Sequence, residues 1–313
     1  MNDYHFLEGL LESTDADLEV FDQCFSQALP LSKIWDDKNN GAKFVTWDSE
    51  FERFLKHRKE LIDYEGRETY FPWRIYNTLD LKWLDGYAYP QRELDCASFS
   101  AKNSLKASNL TNALLTGRSP VEIAPSVTYA IARGNGTPRF GNGLNLNPLS
   151  KWLAEVGNFW TVDFGRYDGG RNVAKLRDNE HTKRNNALRT QSIVCYLPDA
   201  SFDVCYLACA AGFGVNMGTG RYPVSATVNG DGFAVPGQWK SGGHAMAFTA
   251  AFEASDKRQY IYLENSHGNR YVADRFSKEW QPGLWIDRSN FLILAQAKFR
   301  YGTWHVNIGE LPK

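Results

Sequence analysis

The stretch Gln91-Arg-Glu-Leu-Asp-Cys96-Ala-Ser-Phe-Ser-Ala101 decides the fold of this chain. Apolar residues recur after it at helical spacing as far as Leu114, which predicts a helix over 96–115 that begins at Cys96. A thiol at a helix N-terminus faces unpaired N–H groups and the positive end of the helix dipole, and both stabilise a thiolate nucleophile. Asp95 opposes this effect unless its carboxylate turns away to cap the helix.

Two later segments supply partners for such a thiol. His244 begins an apolar, strand-like run in Gly242-Gly243-His244-Ala245-Met246-Ala247-Phe248, directly after a pair of glycines. Asn265 follows the next predicted strand. Its amide oxygen can accept the proton of one ring nitrogen of His244, which leaves the other nitrogen for the thiol. A nucleophile, a base and an orienting group in this order are the residues that covalent acyl transfer requires.

These segments together resemble the papain family of cysteine peptidases over about residues 71–300. The stretch from Cys96 to Ala101 resembles the family's Cys-Trp-Ala-Phe-Ser-Ala, and Gly243-His244-Ala245 resembles its Gly/Asn-His-Ala. Asn265-Ser266-His267-Gly268 resembles its Asn-Ser-Trp-Gly. His244 follows Cys96 by 148 residues, within the family's separation of about 130–150, and Asn265 follows by 169.

The resemblance implies an α+β, papain-like fold in which a cleft separates a helical half from an antiparallel β half. It implies hydrolysis of peptide or isopeptide bonds through a thioester, with Cys96, His244 and Asn265 as the catalytic triad. Gln91, five residues before the thiol where the family has its glutamine six before, is the expected oxyanion donor. Gly143, in a short glycine stretch, is the expected substrate-binding residue. A polypeptide is the expected substrate, and no cofactor or metal ion is expected.

Three substitutions leave an alternative open. Ala97 stands where the family has a Trp, His267 replaces the Trp that shields the His–Asn hydrogen bond, and Glu93 replaces a disulfide cysteine. The alternative is a catalytically weak or inactive papain-like protein that serves as a structural or assembly component, for example in a phage virion. Related Cys–His folds that cleave cell-wall peptides, remove ubiquitin-like tags or act as transglutaminases also remain open, although the Asn-Ser-x-Gly element favours the peptidases.

The remaining pattern predicts two regions. Residues 1–70 are read as a helical N-terminal appendage, either resembling a pro-segment or docking an assembly partner, and residues 71–313 as the peptidase domain. Short β-rich runs bounded by turn residues dominate after residue 191. They predict strands over 193–197, 204–208, 222–228, 244–252, 259–264 and 291–297.

Composition narrows the class of protein. A net charge of −1 over 313 residues gives no reason to expect a nucleic-acid partner, and no apolar run is long enough for a membrane span. The N-terminus has no signal-peptide pattern, and five cysteines are a sparse, odd set, so a cytoplasmic location is expected, with a virion as the alternative. Cys205 and Cys209 are read as core residues, the basic run 56–59 as a solvated helix face, and His305 as a surface residue.

Overall fold

The computed structural model describes residues 28, 30, 44–63, 69–70, 96–117, 146–155, 193–197, 200–266, 283–297 and 304–309. The helices within these ranges are α1 (Ser49–Asp63), α2 (Cys96–Thr116), α3 (Leu146–Glu155), α4 (Phe202–Ala210) and α5 (Arg288–Gln296). The strands are β1 (Phe44–Val45), β2 (Thr69–Tyr70), β3 (Ile193–Tyr196), β4 (Gly214–Pro223), β5 (Ala226–Val228), β6 (Ala234–Pro236), β7 (Trp239–Glu253), β8 (Gln259–Glu264), β9 (Gly283–Ile286) and β10 (His305–Gly309).

One eight-stranded sheet organises these elements. Its order is β1-β3-β10-β4-β7-β8-β9, with β2 paired to β7, while β5 and β6 form a separate hairpin. Every strand pair in the described ranges is antiparallel except β1 with β3, which is parallel. The predicted α+β class, a helical part with an antiparallel sheet, is confirmed.

Helix α2 lies against β4 at close range because the residues at their contact are small. All of its residues from Cys96 to Ser108 are buried. Gly214 at the start of β4 meets the helix directly, since a side chain there would overlap the backbone of Ser104. The Gly214 N–H donates to the Ser108 hydroxyl at 3.1 Å. A seam of serine, alanine and glycine therefore brings the Cys96 helix onto the strands, where larger side chains would hold it away.

The main hydrophobic cluster joins both ends of the described chain. Val45, Phe51 and Leu55 are fully buried in the cluster that also contains side chains from β4, β7, β8 and β10. Helix α1 is thus an integral part of this core, and its helical character agrees with the sequence pattern. The division at residue 70 stays a prediction, but these contacts favour a boundary closer to the N-terminus.

Two predicted strands are wrong. Residues 204–208 lie in α4 and residues 291–296 lie in α5. In each case a side chain caps the helix: Ser201 accepts from the Val204 N–H, and Asp287 accepts from the Asn290 N–H. Short apolar runs do not distinguish a buried strand from a buried helix, whereas these caps, visible in the sequence, do.

The surface assignment of His305 is wrong, and that of the basic run 56–59 holds for Lys56 and His57 but not for Arg58. Arg58 of the basic run is buried, donates from Nε to the Ala211 carbonyl at 2.8 Å and lies over the Phe213 ring. His305 is buried as well, with its Nδ1 3.0 Å from the Ser150 hydroxyl. A long cationic side chain can bury its apolar stem and donate its N–H groups to carbonyl oxygens at the end of a neighbouring helix, which the charge of the run does not reveal. In the described part of the chain no helix combines the length and apolar character needed to cross a bilayer.

Candidate active site

Cys96 is the first residue of α2, as predicted. It is fully buried and shares a cluster of buried apolar side chains with Ala245, the residue after His244 on β7. The end of the helix that carries the thiol therefore packs on the strand that carries the imidazole. As the first residue of α2, the thiol lies at the positive end of the helix dipole.

His244 and Asn265 are in direct contact. The distance between His244 Nε2 and Asn265 Oδ1 is 2.8 Å, inside a buried environment. An amide oxygen only accepts, so Nε2 carries the proton and the Nδ1 lone pair is the one available to a thiol. The contact that the sequence predicted between His244 and Asn265 is present.

Tyr222 lies against the imidazole and was missed by the sequence analysis. Its ring centroid is 4.6 Å from that of His244, with the planes tilted by 44°. The pairing of β4 with β7 shifts register between Thr219 and Arg221, because one residue of β4, Gly220, lies opposite two residues of β7, Gly242 and Gly243. Tyr222 follows this bulge and belongs to the same buried cluster as Met217.

The bulge itself is held by two hydrogen bonds. The Gly220 N–H donates to the carbonyl of Ala297 at the end of α5, at 2.7 Å. The Arg221 N–H donates to the Thr219 hydroxyl at 3.2 Å. Gly242 and Gly243, the two residues of β7 opposite Gly220, are the trace of the bulge in the sequence, since a glycine inside a strand often marks one.

Ser100 ties the nucleophile helix to β4 and β7. Its hydroxyl contacts the Asn216 amide and the Met246 carbonyl, two residues after His244. One hydroxyl has one proton, so it donates to the carbonyl of Met246 and accepts from the Asn216 amide turned with Nδ2 toward it. Ser100 lies one turn after Cys96, within the stretch that the sequence analysis singled out.

The site is closed to solvent in this conformation. Cys96 and His244 are 0% exposed and Asn265 is 8% exposed. A substrate carbonyl must approach the sulfur within bonding distance, so reaction requires a conformation in which this burial is relieved. The burial of the thiol is the observation that weighs most heavily against catalysis by the chain as it stands.

Two predicted site residues lie outside the described ranges. These are Gln91, the expected oxyanion donor, and Gly143, the expected substrate-binding residue. His267, which stands where the family has its shielding Trp, lies outside them as well. Among the side chains in the described ranges, no group of three His, Cys, Asp or Glu residues is placed to hold a metal ion.

The other described thiols are fully buried in the main core cluster. Burial raises the pKa of Cys195, and the nearby Asp48 charge adds to the effect. Burial also raises the pKa of Cys209, with a further contribution from Cys205. Thiols held protonated in this way are poor nucleophiles. The reading of Cys205 and Cys209 as core residues agrees with their burial, although they lie on a helix and not on a strand.

A comparison with protein-family models gave no match, and a comparison with curated proteins gave none either. Among solved structures, the chain is similar to xylellain, a cysteine protease from Xylella fastidiosa, at 15% identity and a TM-score of 0.49, over 70% of this chain and 81% of xylellain. It is similar to bromelain from Ananas comosus in complex with the E64 inhibitor, at 12% identity and a TM-score of 0.47, over 79% of this chain and 100% of the bromelain chain. It is similar to procathepsin B S9 from Trypanosoma congolense at 13% identity and a TM-score of 0.46, over 79% of this chain and 78% of the procathepsin chain. With each TM-score below 0.5, the fold class rests on the described elements themselves.

Proposed function

We propose that this chain is a papain-like cysteine peptidase that hydrolyses peptide or isopeptide bonds through Cys96, His244 and Asn265. The observation that carries the proposal is the 2.8 Å hydrogen bond from His244 Nε2 to Asn265 Oδ1. It is joined by the placement of Cys96 at a helix N-terminus in the same cluster as Ala245. In this proposal α2 supplies the nucleophile, β7 supplies the base, and the residue after β8 supplies the orienting group.

In the proposed reaction His244 Nδ1 takes the thiol proton, and the Cys96 thiolate attacks the carbonyl carbon of the substrate. The resulting oxyanion accepts hydrogen bonds from the Cys96 backbone N–H and from the Gln91 side chain. As the intermediate collapses, the imidazolium gives its proton to the leaving amine and a thioester remains. His244 then takes a proton from water, which attacks the thioester, and the acid product leaves as the thiol is regenerated. No metal or cofactor enters these steps.

The burial of the thiol adds a condition to the proposal. A peptide reaches Cys96 only after the groups that cover it move, so we propose that part of the 1–70 region acts like a pro-segment. Because α1 supplies Phe51 and Leu55 to the main core, a segment that leaves must lie before α1. The proposed substrate is a polypeptide, Gly143 is proposed to bind its backbone, and the proposed location is the cytoplasm.

The complete burial of Cys96 and His244 favours a second candidate. In this alternative the same fold is catalytically weak or inactive and serves as a structural or assembly component, for example in a phage virion. Residues 1–70 would then hold the assembly partner. A stable stoichiometric complex that is lost when those residues are deleted would support this candidate, and turnover by a monomer would count against it.

Labelling of Cys96 tests the first candidate. The full chain is treated at pH 6 with iodoacetamide and with an epoxide-type cysteine-protease inhibitor, and modified peptides are identified by mass spectrometry. Because the thiol is covered, we expect both reagents to label Cys96 through conformations of the folded protein in which the site opens, and His244→Ala to slow this labelling at least about 100-fold because the base is lost. Cys195, Cys205 and Cys209 should stay unlabelled until the chain unfolds.

Matched alanine variants complete the test. Cys96→Ala should abolish hydrolysis of a peptide library, whereas Cys205→Ala, which removes an equally buried thiol, should leave the rate per folded molecule unchanged. An unlabelled Cys96, together with equal hydrolysis by Cys96→Ala and the unaltered chain, would exclude the peptidase.

A further inference from the structure

A buried ion pair joins the nucleophile helix to the strand that leads to Asn265. Lys106 of α2 and Glu264, the last residue of β8, are 6% and 1% exposed at their side chains. The Lys106 Nζ donates to both carboxylate oxygens, at 2.9 Å to Oε2 and 3.2 Å to Oε1. The Thr249 hydroxyl of β7 donates to Oε1 at 2.9 Å. The Glu264 carboxylate is therefore held by α2 and by β7 at once.

Stability alone is a weak reason for such a pair. Burial lowers the pKa of Lys106, which the attraction and hydrogen bond of Glu264 only partly offset. Taking two charges out of water costs several kcal/mol per ion, and apolar side chains of the same size often fold at least as well. A buried pair of this kind is better suited to fixing one arrangement of the elements that it joins than to adding free energy of unfolding.

The position of the pair shows which arrangement it fixes. Glu264 immediately precedes Asn265, and Lys106 is ten residues, or about 15 Å of helix, beyond Cys96. The pair is thus remote from the reacting atoms but lies on the same two elements as the nucleophile and the orienting group. Ser100 makes the corresponding link from α2 to β7 through the Met246 carbonyl, two residues after His244. Each catalytic strand has its own polar link to the Cys96 helix.

We propose that Lys106 and Glu264 are positioning residues that set Asn265, and through it the His244 ring, relative to the Cys96 helix. The inference rests on the proposed function. Without the link, the end of β8 is free to shift against α2, and a displacement of about 1 Å in a catalytic group lowers the rate of reaction by about 100-fold.

The test compares the buried pair with an exposed one. Lys106→Met and Glu264→Gln each break the buried pair, and Lys257→Met and Glu253→Gln break the surface pair Lys257–Glu253, whose Nζ–Oε1 distance is also 2.9 Å. Cys96 alkylation by iodoacetamide is followed at pH 6, under conditions in which urea titration shows each variant to be folded. We expect the buried variants to be alkylated about 10- to 100-fold more slowly than the unaltered chain, and the surface variants at its rate.

The double variant Lys106→Met/Glu264→Gln separates positioning from charge burial. It removes both charges, so its urea midpoint should recover toward that of the unaltered chain, while alkylation of Cys96 stays slow because the link is still absent. If single variants fail to fold, Thr249→Val, which removes one donor to Glu264, provides the milder change. Folded variants alkylated at the rate of the unaltered chain would overturn the proposal.

A second readout distinguishes failure of this inference from failure of the proposed function. Nitrogen-15 NMR of the His244 ring reports the hydrogen bond to Asn265 without any reaction at sulfur. A Cys96 that does not react at pH 6, either in the full chain or in the chain that lacks residues 1–27, contradicts the peptidase, and the NMR signal then decides on the link alone. We expect the NMR signal of the unaltered chain to show a proton on Nε2. The positioning role is supported if this signal shifts, or its proton exchanges faster, in the buried-pair variants and not in the surface variants. An unchanged ring signal in all of them overturns it.

Discussion

At the scale of single residues, Tyr222 is the side chain whose role is most open to direct test. Its ring lies 4.6 Å from the His244 ring between buried strands. Tyr222→Ala should lower the free energy of unfolding by about 3 kcal/mol, because a large buried ring leaves a cavity. It should also slow Cys96 alkylation, because the imidazole loses the surface that fixes its plane. Urea titration and alkylation rates measure the two effects.

Tyr222→Phe is the control for this change, because it keeps the ring and removes only the hydroxyl. We expect it to cost about 1 kcal/mol and to retain most of the alkylation rate. A folded Tyr222→Ala that is alkylated as fast as the unaltered chain would show that the ring only fills space.

The sequence was sufficient to predict that His244 and Asn265 touch, but not which side chains surround them. His244 and Asn265 were predictable because each stands in a short pattern whose chemistry is local. Tyr222 contacts His244 next to the point where the pairing of β4 and β7 shifts register, and such a shift depends on how two strands pair, which the pattern of either strand alone does not show. The burial of His305 depends likewise on Ser150, 155 residues away.

At the scale of elements, the contact between α2 and β4 sets how closely the nucleophile helix approaches the sheet. A methyl group at Gly214 would meet the Ser104 backbone, which cannot turn aside as a side chain can. Gly214→Ala should therefore lower the free energy of unfolding by about 3 kcal/mol, at the upper end of the usual penalty for overpacking, and should reduce activity by moving α2 outward. Urea titration and Cys96 alkylation measure both.

Gly230→Ala is the matched control, because a methyl group there meets nothing within 4 Å. It should change the free energy of unfolding by less than about 0.5 kcal/mol. Equal stability of the two variants would mean that α2 and β4 adjust to one another more easily than their close approach implies.

The elements themselves were predicted unevenly for a physical reason. Long segments such as α2 and β7 carry enough repeats of the apolar pattern to identify them. The nine-residue helices α4 and α5 do not, and their apolar runs were read as strands. Their caps at Ser201 and Asp287 held the missing information. A Ser or Asp side chain that accepts a hydrogen bond from the backbone N–H three residues later is typical of the start of a helix and not of a strand.

At the scale of the whole molecule, the main core brings together residues that are more than 200 positions apart. β1 pairs with β3, α1 packs Phe51 and Leu55 against α4 and β4, and Ala28 packs beside Phe44. A sequence pattern assigns helices to the first 70 residues but does not show what their apolar faces meet. The contacts of α1 and β1 show that part of this region completes the core, which moves the proposed boundary of a removable segment toward the N-terminus.

Two truncations test where that boundary lies. Deletion of residues 1–27 removes none of the described core side chains, so we expect a folded chain whose Cys96 is alkylated at least as fast as in the full chain. Deletion of residues 1–70 removes Val45, Phe51 and Leu55, each fully buried, and with them the strand that pairs with β3. Loss of a large buried side chain costs about 2–5 kcal/mol, so three of them approach the entire stability of about 5–15 kcal/mol that a domain has. Circular dichroism melting should then show a cooperative transition for the first truncation and none for the second. A cooperative, fully active 71–313 fragment would instead place the boundary at residue 70 and make α1 dispensable.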